Sequence, residues 1–339
     1  MLRYNINKIS EVNLELLSNF YKDIFFQRHK SLIQNLKWWY RLGYNEFEPL
    51  VLSVDGKVIG QAGLLPVDLI IRGKEIKAIW FIDFAIQSKF RGKGYGQILT
   101  KEWMKICPNQ ITYCNNQSLR IFKKLGWRNN LSTRRLLRPI NYLKFIPVIK
   151  KFEFKFANNL LRETIKKNFS SNTEVKAYKL IENYQIIKDS FFIRKKYQND
   201  KHAEIIRDDK WLDWKLIECP YKDQLYFFEY KNNFSIVRIN FVKNIKRVNI
   251  LYNYCTDRTQ EDELYYLITN WAIKNNIDLL WAIKRENKFK KIFPNLLSKP
   301  INFASWSKDN EIFQILQNGL LDSQAIDSDI DSNLYNESV

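Results

Sequence analysis

Glycine all but disappears from this 339-residue chain after position 126: nine of the ten glycines lie at or before it, and only Gly319 follows. A backbone needs glycine to turn tightly and to approach a phosphate closely, so phosphate chemistry has one home here, in the first half. Histidine is scarcer still. His29 and His202 each stand alone, which argues against a metal centre or a histidine-activated nucleophile. The four cysteines, Cys107, Cys114, Cys219 and Cys255, form no CxxC pair, as expected of reduced thiols rather than structural zinc. No metal is expected. There is no run of eighteen apolar residues, and the opening MLRYNINKISEVN lacks a signal peptide's apolar stretch. We therefore expect no transmembrane segment and a cytoplasmic protein.

What is present is the composition of a folded chain, 45% hydrophobic, 15% aromatic and 27% charged, with room for two cored domains. The formal charge of +19 invites a nucleic-acid reading. However, Lys, Asn and Ile are abundant throughout rather than focused in a patch, and no recognised nucleic-acid motif occurs. No specific nucleic-acid partner is expected. A basic surface also suits anionic small molecules such as coenzyme A or nucleotide sugars.

Three glycines are packed into Arg91-Gly92-Lys93-Gly94-Tyr95-Gly96. A strand-like run, Ala78 to Ile86, precedes this turn and a helix-like run, Tyr95 to Cys107, follows it. A glycine turn opening a helix offers unpaired N–H groups and the positive end of the helix dipole to an anion. Around it we read a helix over Val12 to Phe26 and a second over Ser31 to Leu42, with Trp38, Trp39 and Tyr40 as core. A strand over Pro49 to Val54, an Asp55-Gly56 hairpin and a return over Val58 to Leu65 come next. Arg72-Gly73 breaks a further pair. After the helix come a strand at Ile111 to Cys114, a helix over Gln117 to Leu125 stopped by Gly126, and a strand near Leu131 to Leu137.

Residues 139–175 read as a helical basic connector, whose aromatics could alternatively dock on an anionic membrane. The second half then repeats the order without the glycines: strands at Leu225 to Tyr230, Phe234 to Phe241 and Arg247 to Tyr254, a helix over Glu261 to Asn275, a strand at Ile277 to Ile283. At the place of the phosphate turn stands Thr256-Asp257-Arg258-Thr259-Gln260-Glu261-Asp262, whose three acids would repel a pyrophosphate. From Asp322 onward the tail carries Asp322, Asp327, Asp329, Asp331 and Glu337 with no base, and we expect it to be solvated and without chemistry.

The glycine turn matches [RQ]-x-x-G-x-[GA], and Asn115, Ser118, Lys124, Gly126 and Trp127 match a second spaced signature. In both, the chain resembles the GNAT acetyltransferase superfamily, over residues 1–138 by motif and beyond by topology. It is loosely similar to two-copy bacterial members associated with surface-polysaccharide synthesis. The resemblance implies an α/β (α+β) fold of tandem GNAT-like domains, each a mixed, mostly antiparallel twisted sheet flanked by helices. The implied division is an acetyl-CoA-binding domain at 1–138, the connector at 139–175, a degenerate copy at 176–321 and an acidic tail at 322–339. It further implies acetyl-CoA as acyl donor. The N–H groups of Gly92, Lys93, Gly94, Tyr95 and Gly96 would hold the pyrophosphate, with Arg91 and Lys93 adding charge. Phe84, Ala85 and Ile86 would pair with the pantetheine arm, and Asn115 and Ser118 would contact the arm or phosphates. The acceptor implied is a small-molecule amine, possibly a nucleotide-linked amino sugar, bound between the domains.

The match fails at two points. Phe122 stands where many members carry a tyrosine that protonates the leaving thiolate; Tyr113 and Tyr142 are candidates without positional support. Ile82 replaces the glutamate often found on the preceding strand, leaving Asp83 as the candidate general base, or else as a buried carboxylate holding loops together. A tRNA-dependent aminoacyl transferase of the peptidoglycan-bridge type and a non-catalytic scaffold remain alternatives.

Overall fold

The computed structural model describes residues 3–141, 175–185, 187–189, 203–242, 244–255, 258–285, 297–318, 321–323 and 325–327. In the first half, β1 (Tyr4–Lys8) is followed by three helices, α1 (Leu14–Ile24), α2 (His29–Gln34) and α3 (Leu36–Trp39). Then come β2 (Leu50–Val54), β3 (Lys57–Ile71), β4 (Lys74–Ile86), α4 (Tyr95–Ile106), β5 (Asn109–Cys114), α5 (Asn116–Lys124) and β6 (Arg128–Asn130). The hairpins turn where the sequence has Asp55-Gly56 and Arg72-Gly73. Both residues of each pair hold positive φ, +48° and +75° in the first and +50° and +75° in the second, the twist that lets antiparallel strands continue in register. Asn13 and Asn115 cap α1 and α5, accepting from the N–H groups of Glu15 and Ser118 at 2.8 and 2.9 Å, as short polar side chains do at helix starts.

The remaining strands are β7 (Thr133–Pro139), β8 (Lys176–Lys179), β9 (Ala203–Ile205), β10 (Leu225–Tyr230), β11 (Asn233–Val242) and β12 (Ile245–Tyr254). After α6 (Arg258–Lys274) come β13 (Leu279–Arg285), β14 (Leu297–Pro300), β15 (Asn302–Ser307), α7 (Asn310–Gln317) and β16 (Leu321–Asp322). Two mixed sheets result, ordered β1-β2-β3-β4-β5-β15-β6 and β8-β10-β11-β12-β13-β7-β14, with β9 and β16 added at the flank of β3. The orders are equivalent, position by position. Each main path has one parallel pair, β4–β5 or β12–β13. Each sheet also takes its next strand from the other half: β15 lies between β5 and β6, and β7 lies between β13 and β14.

This exchange alters the expected partition. The strand read near Leu131 to Leu137 forms, shifted to Thr133–Pro139, but it belongs to the second sheet. A boundary at 138 or 176 thus divides the sequence and not the space. One hydrophobic cluster runs across both halves, from Leu17 and Trp80 to Trp211, Phe234 and Ile283. A second lies between the first sheet and α4–α5 around Leu99, Trp103, Phe122 and Trp127.

Other expectations also change. The helix read over Ser31 to Leu42 breaks into α2 and α3 and ends before Arg41, which takes a left-handed φ of +54°. The acidic tail is not solvated from its start. Asp327 is buried and accepts two hydrogen bonds from Arg207, at 3.0 and 2.6 Å, because β16 pairs with β9 and carries the chain inward. The expected connector lies outside the described residues from 142 to 174. Because β15 is supplied from residue 302 onward, a fragment ending at 141 is expected to lack a cooperative unfolding transition, whereas the full chain shows one; circular dichroism melts of both would check this.

Candidate active site

The site is built on an irregularity in β4. Across the β3–β4 ladder Gly60 faces Ile86, Gln61 faces Ala85 and Gly63 faces Ile82, so Asp83 and Phe84 together oppose Ala62. This is a β-bulge, and Asp83 holds it with a left-handed φ of +48°. Gly63 is required opposite: a Cβ there would lie 2.7 Å from the Ile82 carbonyl and 2.9 Å from the Tyr40 ring. Beside the bulge, β4 and β5 are paired at Ile79–Gln110 and Trp80–Ile111 and then separate. The Thr112 hydroxyl donates to the Phe81 carbonyl at 2.7 Å where they part. The opening is a cleft of about 190 Å³, walled by Phe25 and Arg28, by Phe81–Phe84 of β4, and by Thr112–Asn115, Ser118 and Phe122.

Asp83 closes the base of a buried polar relay. Its Oδ2 accepts from Trp39 Nε1 at 2.7 Å and from the Tyr40 hydroxyl at 3.0 Å, and its Oδ1 is paired with Arg28. Gln61 donates to the Tyr40 hydroxyl and accepts from Tyr21, both at 2.6 Å. Burial raises the pKa of Tyr21 and of Tyr40 above the usual phenol range, which keeps both protonated as donors. A left-handed non-glycine residue costs about 1–3 kcal/mol. Hydrogen bonds to a charged group return about 1.5–3 kcal/mol each, so three of them outweigh the strain. Its side chain is shut off from solvent and both oxygens are engaged by donors that hold the bulge.

The glycine turn follows β4 directly. Gly92 and Gly94 take φ of +77° and +86°, and Gly94 stands as the left-handed N-cap of α4. Gln97 and Ile98 both donate to the Gly94 carbonyl. Among the described residues, no acceptor faces the N–H groups from Gly92 to Gly96, which leaves a row of donors at the positive end of a twelve-residue helix. Gly96 is a different requirement: a Cβ there would sit 3.0 Å from Ile121 and 3.4 Å from Phe84, so its absence lets α4 lie against the bulge. The Arg91 Nε donates to the Ile86 carbonyl at 2.9 Å and ties the turn to the strand. The Lys93 ammonium lies over the Phe90 ring.

The structure thus brings Asp83, Phe84, Asn115 and Ser118 to one cleft, with Ala85, Ile86 and the turn along the same strand. Phe122 is fully buried and stacked on Trp127 at 4.9 Å, so no phenol occupies its place. Tyr113 reaches the cleft, but its hydroxyl is bonded to Ser323 at 2.9 Å. Tyr142 lies outside the described residues. The Cys114 thiol, also in the wall, is pushed up to about 12 by burial and stays protonated and poorly nucleophilic at neutral pH. Sequence reasoning missed Arg28, Gln61 and Tyr21. Of these only Gln61 left a signal, as the one polar side chain in the run Val58 to Leu65.

The corresponding parting in the second half is occupied by protein. Pairing of β12 with β13 ends at Ile250–Ala282, and beyond it Lys284 of β13 is ion-paired with Glu261 in the first turn of α6. Burial lowers the Lys284 pKa while Glu261 opposes that change. Tyr265, wholly buried, packs under the lysine. An acid stands at the helix start where the first half presents bare N–H groups.

Residues 14–127 match the model of the acetyltransferase (GNAT) family. No curated protein matches the chain. Among solved structures, a GCN5-related N-acetyltransferase from Kribbella flavida superposes with a TM-score of 0.58 at 9% identity, over 89% of this chain and 71% of its own. One from Anabaena variabilis gives 0.58 at 13%, over 89% and 72%. N-myristoyltransferase of Saccharomyces cerevisiae, with bound myristoyl-CoA and inhibitors, gives 0.57 at 14%, over 89% and 80%. At such identities the likeness is one of fold, and it extends through both halves.

Removing the charge at the bulge tests the relay. Asp83→Asn leaves Arg28 facing a neutral amide in a largely buried site, and a loss of about 3–5 kcal/mol in unfolding free energy is expected. Urea denaturation of both proteins measures it.

Proposed function

We propose, from the match of residues 14–127 to the acetyltransferase (GNAT) family model, that the protein transfers an acetyl group from acetyl-CoA to a primary amine, an amino sugar or its nucleotide-linked form. The observation that carries the reading is the meeting of the parted β4–β5 edge with the unpaired N–H groups of Gly92 to Gly96. The turn holds the donor's pyrophosphate. The β4 edge at Phe84 to Ile86, released from β5, pairs with the pantetheine arm as an added strand does. Asn115 and Ser118 flank the arm on the β5 side.

The acceptor nitrogen attacks the thioester carbonyl and forms the carbon–nitrogen bond, gives up one proton to solvent, and the carbon–sulfur bond breaks so that the coenzyme thiolate leaves. A backbone N–H at the bulge stabilises the oxyanion; one oriented donor of this kind is worth about 2.7–4 kcal/mol. Without a phenol at position 122 the thiolate takes its proton from solvent. The cost is modest, because a thiol of pKa ~8.5 lies only about 2 kcal/mol from ionisation at pH 7. Asp83 serves by holding the bulge and Arg28 in place. Lacking a dedicated base, the reaction favours an amine near pKa ~7.8, whereas a lysine-like amine near ~10.4 costs about 4 kcal/mol to deprotonate. Bulky rings beneath the cleft support a short acyl group: Phe81 stacks on Trp103 at 3.7 Å, and Phe84 and Phe122 pack on the same indole.

Gly94→Asp tests the assignment cleanly, since aspartate tolerates a left-handed backbone while its charge opposes a pyrophosphate. Calorimetry should show acetyl-CoA affinity falling at least 100-fold with the thermal melt lowered by only a few degrees, the cost of a non-glycine residue at a φ of +86°; an unaltered affinity overturns the reading. In thiol-release assays amino sugars should turn over faster than a lysine peptide.

A further inference from the structure

We propose that the groove between the Gln34–Tyr44 stretch and the Asp209–Glu218 segment is a second binding site, for a small anionic ligand whose phosphate or carboxylate seats against Arg41. The groove encloses about 640 Å³ and draws its walls from both halves of the chain. It shares no lining residue with the cleft at Asp83. Its frame is fixed in advance: Trp38 Nε1 donates to the Trp214 carbonyl and Trp214 Nε1 to the Trp38 carbonyl, each at 2.7 Å.

Arg41 is the feature that asks for a ligand. Its residue is only 7% exposed, yet it lines the groove. It is held there by a left-handed φ of +54°, an uncommon conformation for a long side chain. The guanidinium lies 3.3 Å from the Tyr44 ring centroid and 4.7 Å from that of Trp214. Among the described residues its acceptors are the Pro66 carbonyl, approached by Nη1 at 3.5 Å and so at the limit of the interaction, and the neutral Tyr44 phenol, while Nη2 meets no acceptor. Among the described residues no carboxylate lies within ion-pair distance of it; Asp68 and Asp208 act on it only from farther away. A largely buried cation without a paired anion is costly to fold around, and an anion arriving from the groove relieves that cost. Exposed Lys37 and Lys210 on the rim add attraction of the same sign; Asp213 and Glu218 line the same groove and oppose it, so with Arg41 the lining sets three bases against two acids.

The site is coupled to the bulge through the chain itself. Trp39 and Tyr40, which hold Asp83, lie between Trp38 and Arg41, which face the groove. A ligand on Arg41 thus bears on the backbone that fixes the transfer site, whether or not the acyl donor there is acetyl-CoA.

The test is titration of the full chain at low ionic strength with inorganic phosphate and, separately, with succinate, read by calorimetry and by the fluorescence of the groove tryptophans. Saturable one-to-one binding of at least one anion is expected, and the stronger of the two identifies a phosphorylated or a carboxylated ligand. Arg41→Met should weaken it at least 10-fold, and Lys210→Glu, an exposed change that leaves the fold intact, about 3-fold. Acetyl-CoA affinity, measured in parallel on Lys210→Glu, should not change, which separates this site from the proposed transfer site. Absence of saturation overturns the proposal. So does equal affinity in folded Arg41→Met, the behaviour of counterions on a basic surface; if that variant does not fold, unchanged affinity in Lys210→Glu overturns it.

Discussion

A single carboxylate at a bend in β4 determines how the first half is arranged. Asp83 accepts from Trp39 and Tyr40 and pairs with Arg28, so the helices before the sheet are fastened to the strand at its bulge. Without those bonds the left-handed backbone at Asp83 would be strain with no return. With them, β4 turns away from β5 after Trp80 and a cleft opens. The glycine turn then needs only to follow β4 for its N–H groups to stand at the end of that cleft. The parting of the strands and the placement of the turn's N–H groups thus follow from one buried ion pair and its phenol relay.

The second half shows what happens to the same topology without that device. Its strands follow an equivalent order, and β12 and β13 also part. There the gap is spanned by Lys284 and Glu261 over Tyr265. The half is kept for a different reason: β15 completes the first sheet and β7 the second. Neither sheet is whole without the other's strand, and the shared cluster from Trp80 to Phe234 binds them further. Such an exchange fixes the relative position of the halves, and with it the groove between them.

Much of this was legible in the residues. The hairpin glycines and the Arg91–Gly96 turn announced themselves because each meets a local backbone requirement that few residue types satisfy. The strand exchange did not, since Thr133–Pro139 carries the same alternation whichever sheet it joins. The helix break before Arg41 was hidden for a similar reason: tertiary packing of Trp38 on Trp214 overrides helical spacing. Asp327 misled because a run of acids reads as solvated until a buried arginine, 120 positions away in sequence, is placed against it. The relay at Asp83 is also long-range, joining residues 21, 28, 40 and 61; the sequence offered Asp83 as a buried carboxylate and Tyr40 as core, but not the bonds that join them.

The account rests on main-chain N–H groups of the turn and of the β4 edge meeting an acyl-CoA. Amide hydrogen exchange of the full chain, with and without acetyl-CoA, reads those groups directly. Protection confined to Phe84–Ile86 and Gly92–Ile98, with none at the start of α6, is the predicted result. Unchanged exchange at the turn, or protection appearing instead around Glu261 and Lys284, would contradict it.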